Sequence, residues 1–116
     1  MTEEAKHGME PFKWVDHGEG KASVILSAGL YKNEVFAERA DDGFEGSGYD
    51  WGSLAAVFLE EKMPHLADRV KFDPEADMFA AYSDDVEALE LFVYAFKDAC
   101  EDDALIRDLF SRAELD

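Results

Sequence analysis

One helical stripe in the C-terminal half does most to constrain the fold of this 116-residue chain. Asp84, with Glu87 three residues later, gives a capping-box-like start to the helix. Cys100 extends the stripe to the end of the helix. A helix with so continuous an apolar face needs a second layer of structure to cover it. The stripe consists of Val86, Leu89, Phe92, Val93 and Phe96.

Two pairs of strand-like segments can supply that second layer. In the first pair, apolar residues among polar ones at 12–15 precede the turn-like His17–Gly20 and the segment Ser23–Ala28. In the second pair, an acidic turn separates Val70–Asp73 from Met78–Ser83. Alternating segments joined by short turns are typical of antiparallel hairpins. The sequence therefore predicts two hairpins.

Three further helices are predicted. The first runs from Tyr31 to Ala40 and ends before Gly43. The second has Asp50 as its N-cap and ends near Met63, because Pro64 disfavours helix in the preceding residue. Its core-facing residues are Leu54 and Phe58.

The last helix is expected between Ala104 and Arg112. Asp102 or Asp103 can cap it, and Leu105, Leu109 and Phe110 are predicted to face inward. The resulting order is ββααββαα. We predict an α+β fold with a four-stranded, largely antiparallel sheet and helices on one face. Residues 1–10 are expected to form a flexible arm and residues 11–116 a single domain.

Acidic residues dominate the charge of the chain. Its 28 acidic and 11 basic side chains give a formal net charge of -17. Because 47% of residues are hydrophobic, including nine Phe, the chain is expected to fold and to carry its carboxylates on the surface. Such a surface repels nucleic acid and anionic membranes and favours a basic partner. Solubility is an equally good explanation of the charge at this point.

The sequence predicts a cytoplasmic protein. Cys100 is the only cysteine, which excludes an internal disulfide. The start Met1–Glu4 lacks the basic and apolar regions of a signal peptide, and no apolar run is long enough to span a bilayer. Repulsion between like charges favours a monomer.

Signals for catalysis, metals and cofactors are weak. His7, His17 and His65 have no metal-ligand spacing. The acids from Asp73 to Asp84 partly match a calcium loop, but Met78 occupies the position that requires Gly, so an acidic turn is the better interpretation. Cys100 has no neighbouring base in sequence and is expected to be a buried side chain. We predict no catalytic residues, no metal and no cofactor.

The segment Gly43–Trp51 is the most informative loop. Its glycines permit positive φ and close backbone approach. Aromatic residues here can either anchor the loop to the core, the interpretation favoured for Trp51, or contribute to recognition. The residues assigned a structural role are Gly43, Phe44, Gly46, Gly48, Asp50 and Trp51. The residues assigned to a recognition surface are Asp41, Asp42, Glu45 and Tyr49.

The sequence of this loop resembles the immunity protein 51 family of bacterial polymorphic toxin systems. The resemblance continues through Ser53–Ala55, Phe72–Glu75, Met78–Ser83 and Ala113–Asp116. Ser47 is a small departure, since Asn is common there in the family. The resemblance implies an α+β cytosolic protein, encoded beside a toxin, that neutralises the toxin by direct binding and without catalysis.

Three functional hypotheses follow. The first is an immunity protein whose acidic surface binds a basic toxin, with a nuclease fitting the charge best because its substrate groove is basic. The second is a small ligand-binding domain or enzyme that uses loop 43–51 as a lid. The third is a general acidic mimic of nucleic acid that inhibits many basic proteins.

Overall fold

The computed structural model describes residues 11–29 and 31–114. The predicted arm at 1–10 lies outside the described residues. The strands are β1 Lys13–Gly18, β2 Lys21–Ser27, β3 Lys71–Phe72 and β4 Met78–Ser83. The helices are α1 Asn33–Ala37, α2 Gly48–Lys62, α3 Val86–Glu101 and α4 Asp103–Phe110, with short 3-10 helices at Ala40–Asp42 and Pro64–Leu66. The predicted α+β fold is confirmed.

The four strands form one antiparallel sheet in the order β1-β2-β4-β3. Val24 of β2 lies opposite Trp14 of β1 and Ala81 of β4, and Ala81 also pairs with Phe72 of β3. Both predicted hairpins are therefore confirmed. Because side chains alternate between faces, this register places one set of β2 and β4 residues in the core. The buried set is Ala22, Val24, Leu26, Phe79 and Ala81.

Helices α2 and α3 contact the sheet, and their buried aromatic residues form part of the core. The ring of Phe96 lies 5.1 Å from Phe58, 5.4 Å from Phe92 and 6.0 Å from Trp51, measured between centroids. Burying each such ring stabilises the fold by about 2 to 3 kcal/mol. The stripe on α3, read from the sequence, is thus the centre of the core.

Helix α2 begins three residues earlier than predicted. Its N-cap is Ser47, not Asp50. The Ser47 hydroxyl accepts a hydrogen bond from the backbone N–H of Asp50, and the Asp50 side chain bonds back to the N–H of Ser47. An acid at this third helical position completes a capping box. Because Asp is also a common N-cap, the residue type alone does not show which of the two roles Asp50 has.

The other helix ends also differ in detail. Helix α1 is shorter than predicted, because Lys32 has a left-handed backbone (φ 55°) and the chain turns into a 3-10 helix at Ala40. Asp85 caps α3 in place of Asp84. Asp102 caps α4, as one of the two predicted alternatives.

The prediction of which α4 residues face inward is partly wrong. Leu109 and Phe110 are buried as expected, whereas Leu105 is only partly buried and Ile106 is fully buried. With Asp102 as N-cap, residues at intervals of three and four place Ile106, Leu109 and Phe110 on one face. Leu105 lies at the edge of that face.

Candidate functional site

The Asp50 carboxylate holds the backbone of the glycine-rich loop. One of its oxygens accepts hydrogen bonds from the backbone N–H groups of Glu45 at 2.7 Å, Gly46 at 2.8 Å and Ser47 at 3.3 Å. Asp50 is only 5% exposed. Several N–H donors together with the helix N-terminus compensate for burying its charge. The loop shape therefore depends on this one side chain.

Aromatic side chains fix both ends of the loop to the core. Trp51 is 1% exposed and stacks on Tyr31, with ring centroids 5.9 Å apart and an interplanar angle of 3°. At the other end, Phe44 packs edge-on against Phe110 at 4.8 Å. The Arg39 guanidinium lies 4.5 Å from the Phe44 ring centroid. These contacts support the structural interpretation of Phe44 and Trp51.

Glycine is needed in this loop for two separate reasons. Gly43 and Gly46 have φ of 102° and 82°, a region that disfavours side chains. Gly48 lies so close to the turn between β3 and β4 that a Cβ would fall 1.9 Å from the Glu75 carbonyl oxygen and 2.1 Å from that of Met78. The loop therefore packs directly against that turn.

The four residues that the sequence assigned to recognition are exposed, Glu45 and Tyr49 within the loop and Asp41 and Asp42 in the 3-10 helix before it. Asp41, Asp42 and Glu45 are exposed, and Tyr49 is 44% exposed. Asp42 pairs with Arg39 at 2.9 Å, whereas Asp41 and Glu45 form no side-chain ion pair within the described ranges. All four side chains are thus accessible, in or next to a loop that is anchored to the core.

The turn between β3 and β4 adds acids that sequence reasoning did not assign to this surface. Glu75 and Asp77 are exposed, and the backbone N–H of Gly48 donates to the Ala76 carbonyl at 3.0 Å. The acidic turn is visible in the sequence, but the tertiary contact through Gly48 is what brings it beside the loop. We name the combined region the loop surface, formed by residues 41–49 and 73–77.

Arginines near the C-terminus form ion pairs that tie helices together. Arg112 contacts Glu61 of α2 at 2.6 Å and Asp108 of α4 at 3.0 Å. Hydrogen bonding to Arg112 lowers the pKa of both carboxyls below their ordinary values. Arg107 lowers the pKa of Glu38 in the same way. These pairs stabilise the fold above the ordinary carboxyl pKa of about 4, and their contribution is lost as the pH falls through the lowered values.

Cys100 is fully buried, which confirms the prediction of a buried small side chain. Burial raises the pKa of its thiol above the ordinary value, so the thiol stays protonated at neutral pH. Since the thiolate is the reactive form, this environment gives no support to a nucleophilic role.

A groove of about 710 Å³ lies on the sheet side of the molecule. Tyr82, which is 45% exposed, lines it together with Lys21, Arg69 and Lys71. Asp68, Asp73 and Asp84 also line the groove, so its walls carry both signs of charge. The sequence did not predict this groove, because polar residues alternating along strands indicate only a face turned to solvent.

Fold and loop together define the class of protein as an α+β domain with a loop that is hydrogen-bonded to Asp50 and exposes Glu45 and Tyr49. The chain belongs to the Immunity protein 51 family, whose family model matches residues 12–115. The resemblance noted in the sequence is thereby confirmed. Neither the curated proteins nor the solved structures include a match to the chain.

Family membership implies an immunity protein that binds a cognate toxin, and it suggests a non-enzymatic role. No helix in the ranges 11–29 and 31–114 is long and apolar enough to cross a membrane.

Proposed function

We propose that this protein neutralises a cognate polymorphic toxin by direct binding through its acidic loop surface. The observation that carries this proposal is the loop held by Asp50, in which Glu45 and Tyr49 are exposed, with Asp41 exposed in the 3-10 helix just before it. A loop already fixed by hydrogen bonds loses little conformational entropy on binding. Tyr49 supplies contact area at low entropic cost.

The toxin is proposed to be basic where it contacts this surface. Complementary charge speeds the encounter and rejects wrong partners, while a buried aromatic anchor slows dissociation. A nuclease fits this description, because a groove that binds phosphates depends on Lys and Arg. The protein would then either plug the active cleft or block access beside it. We further propose that the protein is cytoplasmic and that it is a monomer when free, the latter because its charges repel one another.

The first experiment measures association with the purified product of the adjacent toxin gene at several salt concentrations. We expect the association rate to fall at least about tenfold as NaCl rises from about 20 mM to about 500 mM, because salt screens steering between exposed charges. An association rate independent of salt would contradict electrostatic docking, and absence of binding would contradict the immunity function itself.

The second experiment reverses two charges of the loop surface. Asp41→Lys combined with Glu45→Lys is expected to slow association about tenfold at low salt and to leave the melting temperature nearly unchanged. Asp42 is retained, because its pairing with Arg39 supports packing around Phe44.

The matched control carries the same change in net charge elsewhere. Glu19→Lys with Glu60→Lys alters two exposed acids, one in the β1–β2 turn and one on α2. We expect this control to slow association less than about threefold, because neither residue belongs to the loop surface. Equal effects of the two double variants would remove the loop surface from the interface and leave a general charge effect.

The lid and nucleic-acid-mimic hypotheses make different predictions. A lid must open, so the amides of Gly46 and Ser47 would exchange hydrogen rapidly, whereas their bonds to Asp50 support slow exchange. A general mimic would inhibit several unrelated nucleases with similar affinity. A dedicated immunity protein is expected to inhibit its own toxin far more strongly.

A further inference from the structure

Helix α3 carries a second stripe on the side away from its fully buried residues, in which Glu90, Tyr94 and Ala95 are half-buried and the other members are exposed. Its members recur at helical spacing, so they lie on one side of the helix. With Met63, the C-cap of α2, they line a groove of about 640 Å³. Leu91 is 57% exposed, more than Tyr49 or Tyr82. The stripe consists of Glu87, Glu90, Leu91, Tyr94, Ala95 and Asp98.

The charge of this groove has one sign. Among the residues that the structure describes, every charged one that lines it is acidic. Glu87 and Asp98 form no ion pair within the same part of the chain. A neighbouring groove of about 430 Å³ shares Met63, Ala95 and Asp98 with the first and extends the surface toward α4, where Asp102 adds an acid and Lys62 adds one basic residue. We name the two together the α3 groove.

The chemistry of the α3 groove selects its occupant. An apolar floor at Leu91 and Ala95 favours an apolar side chain, and the flanking acids favour Lys or Arg on either side of it. A second copy of this chain is disfavoured, because both copies carry a net charge of -17. The groove runs along a helix, so an amphipathic helical segment matches its shape.

We propose that the α3 groove docks a basic amphipathic segment of the cognate toxin, with Leu91 as its apolar anchor. This inference rests on the proposed immunity function and extends it to a second contact. The loop surface lies at the start of α2 and Met63 at its end. At 1.5 Å per residue, the 15 residues of α2 separate the two contacts by about 22 Å. One toxin molecule is expected to contact both surfaces.

The main test substitutes Leu91 and measures binding to the purified product of the adjacent toxin gene. Leu91→Ser is expected to weaken binding about twentyfold, mainly through faster dissociation, because the variant loses an apolar contact. The exposure of Leu91 means that the substitution removes little packing from the fold. Tyr82→Ser is the matched control, since Tyr82 is a similarly exposed apolar residue on the sheet side, and its affinity is expected to change less than about twofold.

The outcomes separate this inference from the proposed function. If wild-type protein does not bind the toxin, the proposed function fails. If wild type binds, the loop double variant binds weakly and Leu91→Ser binds normally, the proposed function stands and the α3 groove proposal is overturned. If sedimentation shows a wild-type dimer that Leu91→Ser converts to a monomer, a second copy occupies the groove, which also overturns the proposal.

A second measurement tests the groove without the toxin. The probe is a synthetic amphipathic helix of Lys, Leu and Ala, titrated into the full chain and followed by NMR. We expect shift changes at Leu91, Tyr94 and Ala95 and none of comparable size on β4. A peptide with Glu replacing Lys is the control and is expected not to bind. Shift changes concentrated outside α3, or equal binding of both peptides, would overturn the proposal.

Discussion

At the scale of single residues, Asp50 connects the helix start to the loop surface. Its carboxylate accepts three backbone N–H groups while its own N–H donates to the Ser47 hydroxyl at 3.2 Å. The same side chain therefore stabilises α2 and sets the conformation of the loop before it. The exposed side chain of Asp41, in the preceding 3-10 helix, makes no such hydrogen bond within the described residues.

Replacing Asp50 tests this role. We expect Asp50→Ala to lower the free energy of unfolding by about 3 kcal/mol, because buried N–H donors lose a charged acceptor. Asp41→Ala is the control and is expected to change it by less than about 0.5 kcal/mol, as for other exposed surface substitutions. Urea unfolding followed by circular dichroism measures both. A similar, small effect of the two substitutions would show that Asp50 does not organise the loop.

At the scale of secondary-structure elements, α2 is positioned by close backbone contact. Gly48 is its first residue, and the turn between β3 and β4 crosses directly over it. This contact joins the N-terminal half of the chain to the second hairpin. It also explains why α2 begins with a residue of poor helix propensity, since any side chain would collide with backbone oxygens.

Two glycines in the same helix provide a matched comparison. Alanine in place of glycine ordinarily stabilises a helix by about 0.5 to 1 kcal/mol. Gly48→Ala is instead expected to cost at least about 4 kcal/mol or to prevent folding, because its Cβ cannot be accommodated without moving backbone. At Gly52, the nearest atom to an added Cβ is Pro74 Cγ at 3.2 Å, so Gly52→Ala is expected to stay within about 1 kcal/mol of wild type.

Thermal melts of both glycine variants measure these changes in stability. If Gly48→Ala melts at or above the wild-type temperature, the close approach of the turn to α2 is wrong. If Gly52→Ala is as damaging as Gly48→Ala, a general intolerance of α2 to substitution replaces the specific contact as the explanation.

At the scale of the whole molecule, acidic repulsion opposes folding. Ion pairs such as Arg112–Glu61 and Arg107–Glu38 offset part of the charge, but the formal net charge remains -17. Salt weakens both the ion pairs and the repulsion. Salt is expected to weaken the repulsion more than it weakens the attraction within ion pairs. Acidic side chains greatly outnumber basic ones, and exposed pairs contribute little to stability.

Salt is therefore expected to stabilise the free protein. Raising NaCl from about 20 mM to about 500 mM should increase the melting temperature by about 5 °C. A variant with Asp41→Asn, Glu45→Gln, Glu87→Gln and Asp98→Asn has less charge to screen and should show a smaller increase. A melting temperature that falls with salt would mean that ion pairs outweigh repulsion.

Local sequence patterns determined the secondary structure and the fold class. The stripe on α3 and the alternating segments of the two hairpins predicted their elements, because periodicity records which face of an element is buried. The glycine-rich composition of 43–51, and not periodicity, favoured Trp51 as an anchor of the loop and assigned Phe44 a structural role, and both residues are buried. Helix ends were less predictable, because Asp can serve either as N-cap or as the third residue of a capping box, as at Asp50.

Only the tertiary structure decided which distant segments meet. It placed Gly48 under the turn at 73–77, assembled the α3 groove from Met63 and the outer face of α3, and left Leu91 exposed. Sequence periodicity assigns a residue to a face but does not identify what covers that face, because this depends on contacts between residues far apart in the chain. The sequence by itself determined the elements, the excess of acidic residues and the resemblance to an immunity family, while packing decided which side chains are exposed and which segments they lie next to.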